Sequence, residues 1–394
     1  MFSGRTPKIL ATNRLTRALA ARAIPPLDLT VTNPTAVGLD LPFEPLGTLA
    51  DERGRLHAPE PKGLRSAREA VAVYYAGRRV EADPERIVLC ASSSEAYCWL
   101  FKLLCEPGDT ILVPAPSYPL LDSLAQLESV GVERYPLDAA GGWTFHASLV
   151  TSEIDRLERE ERRVGAVVLV NPNNPTGTGV AREELLALLA LSFERGFAVI
   201  SDEVFLDYRF TGAPQDVPVA ASLAEKGGGV VFSLGGLSKS AALPQLKLGW
   251  ILANGPADLL REALVRLEWI ADTYLSVGTP VQLALPRLLA WGETAAAAVR
   301  HRITQNFETL SRAFPAGAHA AAEPLRGGWS AVLHVPFVEP EEELVLRLLH
   351  GHDLLVHPGY FFDFPLESFL VLSLLPRTDL FAEGVARLSR ALPR

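Results

Sequence analysis

Two uninterrupted apolar runs, Val167-Val-Leu-Val170 and Ala198-Val-Ile200, constrain the fold of this chain more than any other feature. A strand with one face in water alternates polar and apolar residues. A strand without a polar side must be covered on both faces, as in a parallel sheet flanked by helices. The two runs sit in strand candidates Val164–Val170 and Phe197–Ser201. Arg86–Ala91, Thr110–Val113, Val132–Pro136, Val230–Leu234 and Leu248–Ala253 complete the set. Amphipathic segments lie between several of them: Glu95–Leu104, Tyr118–Ser129, Ala147–Glu160 and Arg182–Glu194. This alternation predicts an α/β fold with a mainly parallel, seven-stranded sheet and helices on both faces.

A chain of 394 residues exceeds one ordinary core, so two domains are expected. The pattern changes after Pro280. An Ala- and Leu-rich helix is expected over Val281–Leu310, with a break near Pro286. Strand Ser330–Val335, helix Pro340–Leu349, strands Leu354–His357 and Phe369–Leu374 and helix Leu380–Leu392 then make a smaller α+β unit. The resulting division is an N-terminal arm that adds to the small unit (1–45), a large domain (46–285) and a small C-terminal domain (286–394).

Charge and composition narrow the function classes. A net charge of −9 and the absence of basic runs argue against a nucleic-acid surface. No uncharged apolar stretch is long enough to span a membrane, and the N-terminus has no cleavage signal, so a cytoplasmic protein is expected. Cys90, Cys98 and Cys105 form no CxxC pair. Cys98 and Cys105, seven apart on an apparent helix, are expected as a reduced, buried pair on one face.

The chemistry-bearing residues follow strand candidates, where open α/β sheets place their binding sites. Lys239 lies in Phe232-Ser-Leu-Gly-Gly-Leu-Ser-Lys-Ser240, and its apolar, Gly-rich setting is unusual for a surface lysine. Asp202 ends the strand Phe197–Ser201. A carboxylate buried there needs a partner, although a helix cap is the plainer alternative. Asn174 lies in Asn-Pro-Asn-Asn-Pro-Thr-Gly-Thr-Gly, more constrained than a simple turn needs. Ser92, Ser93 and Ser94 open a helix after a strand, which suits either a phosphate cradle or a plain serine N-cap. Tyr118 offers a ring for stacking or for core packing. An amine for an aldehyde, a carboxylate for a ring nitrogen and an amide for a phenolate oxygen are what pyridoxal 5′-phosphate needs.

With Asn-Pro-Thr-Gly, Asp-Glu-Val-Phe and Ser-Lys in this order, the chain resembles the fold-type I, class I/II aminotransferases from about Leu29 onward. The resemblance implies that Lys239 carries the cofactor as a Schiff base and later moves the substrate's proton. Asp202 would meet the ring nitrogen, Asn174 the ring oxygen, and Tyr118 the ring face. Ser93, Ser94, Ser238 and Lys247 would hold the phosphate. Substrates would be an amino acid and a 2-oxo acid, handled in a ping-pong cycle by a homodimer.

Three positions depart from the family pattern. Phe205 stands where tyrosine usually donates to the ring oxygen, and Lys247 where arginine usually forks onto the phosphate. Val371 stands where arginine usually clamps the substrate carboxylate. Arg377, Arg326 and Arg14 are the candidate replacements, with Asn33 and Gly38 as further substrate contacts. His57 is a substitute for an absent tyrosine. The alternative is another reaction with the same cofactor: a lyase, decarboxylase, racemase or cyclising synthase. A non-catalytic regulator on the same fold is the remaining reading, and the acidic charge weighs against a DNA-binding module. No GxGxxG follows the first strand, and there is no Walker lysine motif or HExxH.

Overall fold

The structure, a computed structural model, describes residues 2–7, 11–39, 41, 45–210 and 218–393. Helix α1 (Arg14–Ala20) and strand β1 (Leu27–Asp28) precede helix α2 (Arg65–Ala76). The large unit then alternates as β2 (Ile87–Cys90), α3 (Ser93–Leu104), β3 (Thr110–Ala115), α4 (Leu120–Leu127), β4 (Gly131–Pro136), α5 (Ala147–Arg159) and β5 (Val164–Val170). It continues with α6 (Arg182–Arg195), β6 (Ala198–Asp202), α7 (Ala224–Gly227), β7 (Val231–Gly236), α8 (Leu237–Ser240), β8 (Gly249–Asn254) and α9 (Ala257–Tyr274). The strands form one seven-stranded sheet in the order β2-β8-β7-β6-β5-β3-β4, in which only β8 runs antiparallel to its neighbours. Each lies within two residues of its expected bounds.

Both faces of this sheet are covered, which explains the unbroken apolar runs. Every residue of β5 and β6 is buried. Val168 and Ile200 join one core cluster with Trp99 and Phe101, while Val167 and Val199 join another with Leu185 and Leu188. Five helices have no counterpart among the expected segments: the short α1, α7 and α8 and the longer α2 and α9. In α9 the apolar residues lie on both sides: Leu267 and Ile270 are buried, while Val265 and Trp269 are exposed, which blurs the period.

Helix α10 (Thr279–Ala313) corrects the expected break, running unbroken through Pro286 and across the boundary drawn at 285/286. Proline removes one ladder bond, a cost of about 3 kcal/mol. The neighbouring Leu285, Leu288 and Leu289 are buried against α2 and α8, and that packing holds the helix together.

The smaller unit contains β9 (Ala321–Ala322), β10 (Ser330–His334), α11 (Glu341–His352), β11 (Leu354–Leu355), β12 (His357–Pro358), β13 (Phe369–Ser373) and α12 (Thr378–Ala391). The strand expected at Leu354–His357 is two strands in different sheets. β11 pairs in parallel with β1, which ties the beginning of the chain to this unit. β12 joins the order β12-β13-β10-β9, with His357 opposite Val371.

Cys90 is buried, whereas Cys98 and Cys105 are half-buried, and all three are free. The expected buried pair is therefore corrected. α3 ends at Leu104, so Cys105 caps the helix instead of continuing its face. Among the described residues no helix is long and apolar enough to cross a membrane.

Candidate active site

A cavity of about 280 Å³ lies at the carboxyl ends of the central strands, between the large sheet and the small unit. Lys239, Asp202, Asn174, Tyr118, Ser93 and Phe205 all line it, as does Val371. These residues come from separate elements. Asp202 ends β6, Asn174 follows β5, Tyr118 follows β3, Ser93 opens α3 and Lys239 sits in the single turn of α8 after β7.

Local packing explains how each is presented. Gly235 precedes the lysine turn because a Cβ there would sit 2.5 Å from the Trp250 indole nitrogen. The Asn174 loop turns at Gly177, whose φ is +71° and whose Cβ would sit 2.2 Å from the Gly327 carbonyl oxygen; only glycine fits. Asn173 braces the same loop, accepting from the Thr176 hydroxyl (3.0 Å) and donating to the Pro116 carbonyl (3.3 Å). Asn174 Oδ1 accepts from Ser330 (3.2 Å), which leaves the amide N–H₂ to be offered.

Asp202 is buried. Its Oδ2 accepts from the Tyr97 hydroxyl (3.1 Å) and its Oδ1 from the Val204 N–H (3.2 Å). Burial pushes this carboxyl above its ordinary range, against the pull of those bonds and of Lys239. Burial likewise holds the Lys239 ammonium below its ordinary range, with Asp202 opposing. The Lys239 Nζ lies 5.0 Å from the centroid of the Trp329 ring and 5.7 Å from that of Phe205. Tyr208 donates to the backbone oxygen of Lys239 (2.5 Å), so it fixes the main chain and does not replace the tyrosine missing at Phe205.

The serine cluster divides its roles. Ser92 is the N-cap of α3, accepting from the Glu95 N–H (3.2 Å), while Glu95 accepts in return from the Ala91 N–H (2.6 Å). This is a capping-box-like exchange in which Glu95 reaches the N–H one residue before the cap, so the Ser92 hydroxyl is engaged there. Ser93 and Ser94 keep their backbone N–H groups free of helical partners in the first turn. Ser238 is half-buried beside Lys239. Lys247 is exposed, with a φ of +50°, immediately before Leu248 and β8.

The candidate carboxylate binders lie off the cavity wall. Arg377 is exposed and forked onto Asp379, Arg14 bonds to Glu342, and Arg326 is half-buried beyond the wall. Asn33 caps a short 3-10 turn, accepting from Thr35, and Gly38 is exposed near Arg377. His57 lines a different cavity, with Trp99 and Gln282. Sequence reasoning did not single out Tyr97, Ser330 or His357. Tyr97 was within reach of it, since it stands one turn beyond Ser93 on the same helix.

Glu203, next to Asp202, turns away from the cavity. Its Oε1 accepts from Ser201 (2.9 Å), Ser233 (3.1 Å) and the Ala220 N–H (2.7 Å), and burial pushes the carboxyl up to about 7. The unfolded chain releases this proton near 4.5, so the folded state binds it more tightly and stability falls as pH rises between these values. Glu203→Gln imitates the protonated form. Its advantage over wild type is expected to grow from pH about 4.5 to about 7 and then level off on the order of 3 kcal/mol. Denaturation midpoints across that range check it; a gap that does not vary with pH would contradict it.

Comparison with known proteins assigns the fold and the family. The family described as aminotransferase class I and II matches residues 31–380. The chain is 24% identical over 395 residues to glutamate-pyruvate aminotransferase AlaA of Escherichia coli strain K12, covering 93% of this chain and 90% of that protein. It is 30% identical over 270 residues to tyrosine aminotransferase of Bos taurus, covering 66% of this chain and 57% of that one. The structure of alanine aminotransferase from Pyrococcus furiosus superposes with a TM-score of 0.82 at 23% identity, covering 95% of this chain and 94% of that chain. The chain belongs to the class I and II aminotransferases, on the fold-type I architecture.

Proposed function

We propose that this aminotransferase holds pyridoxal 5′-phosphate on Lys239 and moves an amino group between an amino acid and a 2-oxo acid in two half-reactions. The observation that carries the reading is the convergence of an amine, a buried carboxylate and an amide on one cavity from three separate strand ends. The residues suit the group. Asp202 is a buried carboxylate without an ion-pair partner among the described residues, and a protonated ring nitrogen would satisfy it. Asn174 offers amide N–H to the ring oxygen, and the first turn of α3 at Ser93 and Ser94 suits a phosphate. Ser238 and Lys247 would add a hydroxyl and a point charge from the other side.

The bound cofactor supplies an electron sink for the charge left at the substrate's α-carbon. Lys239 Nζ takes the proton from that carbon and holds it for return. Its burial keeps part of the amine unprotonated nearer neutrality than a surface lysine would be. Trp329 and Phe205 cover the amine and keep water from it. Asp202 is held in place by Tyr97 and Val204.

The same reading has the enzyme act in the cytoplasm as a homodimer. The free cysteines suit the compartment. The exposed Val265 and Trp269, one turn apart on α9, suit a surface covered by a second copy.

Amino acids tried one at a time against the loaded enzyme test the function. At least one is expected to leave its amino group on the protein and release its 2-oxo acid in stoichiometric amount. Release of ammonia or CO₂ with no amino group retained would move the enzyme to a lyase or decarboxylase reading.

A further inference from the structure

The cavity over Lys239 must hold an amino acid's carboxylate as well as its amine, and its wall offers little for that task. Among the described residues no arginine lines it. Most of its hydroxyls have already donated their hydrogens: Thr30 to Asp28 (2.6 Å), Ser373 to the Val31 carbonyl (2.5 Å), Ser330 to Asn174 (3.2 Å) and Tyr97 to Asp202 (3.1 Å).

His357 differs from all of these. It begins β12 and stands opposite Val371 across an antiparallel pair, so the two side chains leave the sheet on the same face, and both line the cavity. Its ring lies 5.8 Å from that of Phe361 and 5.9 Å from that of Phe362. Its Nδ1 is buried and has no hydrogen-bond partner among the described residues. Such an atom is rare in a folded protein and calls for an explanation. The Trp329 Nε1 is also buried and unpartnered, but an indole takes up no proton and offers an anion no charge.

We propose that His357 binds the carboxylate of the amino-acid substrate beside Val371, and that the cavity selects amino acids with a single carboxylate and an apolar side chain. This rests on the transaminase reading given above. Because Nδ1 is closed off by the protein around it, the imidazole meets the carboxylate oxygen through its other nitrogen, Nε2, and the anion favours the protonated ring, strengthening the bond. Burial holds the empty ring below its ordinary range, with Asp28 pulling the other way. A second carboxylate would find no further cation: among the described residues only His357 and Lys239 on the wall can carry positive charge, and Lys239 serves the reaction, so nothing offsets the loss of its water.

The test is calorimetric titration of the cofactor-loaded, full-length enzyme with 3-phenylpropanoate and with 3-phenylpropanamide, which has the same shape without the charge. Wild type is expected to bind the acid about 10- to 100-fold more tightly than the amide. His357→Phe should bring that ratio to near unity, and His357→Arg should preserve it. General loosening of the fold weakens both ligands and leaves the ratio unmoved. A wild type with no preference overturns the assignment, as does a phenylalanine variant that keeps the preference or an arginine variant that loses it. Failure of the transaminase reading is a separate result: wild type would release no 2-oxo acid from any amino acid, whatever binds at His357.

Discussion

Lys239→Ala is expected to abolish transamination, lowering the half-reaction with every amino donor by roughly 10⁴-fold or more. In the proposed function one side chain performs two tasks, attaching the cofactor and moving the substrate's proton, and no other amine lines the cavity among the described residues. Lys239→Arg should fail as completely. It preserves the positive charge, but a guanidinium does not give up its proton in a protein and so cannot act as nucleophile or base. The two variants together separate loss of charge from loss of a titratable amine. Both should remain folded, because Tyr208 holds the backbone oxygen of residue 239 and not its side chain. Borohydride reduction followed by peptide mapping supplies a readout independent of turnover: the tag should fall on Lys239 in wild type and vanish in both variants. Activity retained by either variant, or a tag on another residue, would remove the basis of the proposed function.

Asp202→Asn is expected to lower the half-reaction by about 10²- to 10³-fold, the kinetic equivalent of removing one partner from a buried ion pair. Asparagine has nearly the same shape: its Oδ1 can still accept from the Val204 N–H while its Nδ2 donates to the Tyr97 hydroxyl, so the bonding is kept and the loss isolates the charge. Stability gives the second measurement. Without cofactor, Asp202 is a buried carboxylate held at an unfavourable ionisation by its surroundings, so the asparagine variant should be at least as stable as wild type. Adding pyridoxal 5′-phosphate should raise the melting temperature of wild type by more than that of the variant, since stabilisation by a ligand tracks its affinity. A variant destabilised equally with and without cofactor would make Asp202 a structural residue, and the role given to it here would be withdrawn.

What could be anticipated from the chain, and what could not, follows from the range of the interactions involved. The covered sheet was legible because a strand buried on both faces must be apolar at successive positions, as Val167–Val170 are. Asp202, Asn174 and Lys239 were legible because each ends a strand or directly follows one, and parallel neighbours bring such ends together. The helix through Pro286 was not, since its continuity rests on leucines packed against α8 and against α2, which lies far earlier in the chain. Nor was the capping role of Ser92, because the same serines suit a phosphate or a helix end equally well.

The gap at Val371 marks the division most clearly. One position in the sequence showed that a guanidinium was missing, and Arg377, Arg326 and Arg14 were the cations that proximity in sequence or charge alone suggested. Folding leaves all three off the wall and sets His357 opposite the vacant position. The sequence by itself determined the strands of the sheet and the residues at their ends that converge on one cavity, since local periodicity and spacing carry that information. Only the tertiary structure decided which group stands opposite Val371 on the cavity wall, because antiparallel register joins residues by their partners across a sheet and not by their place along the chain.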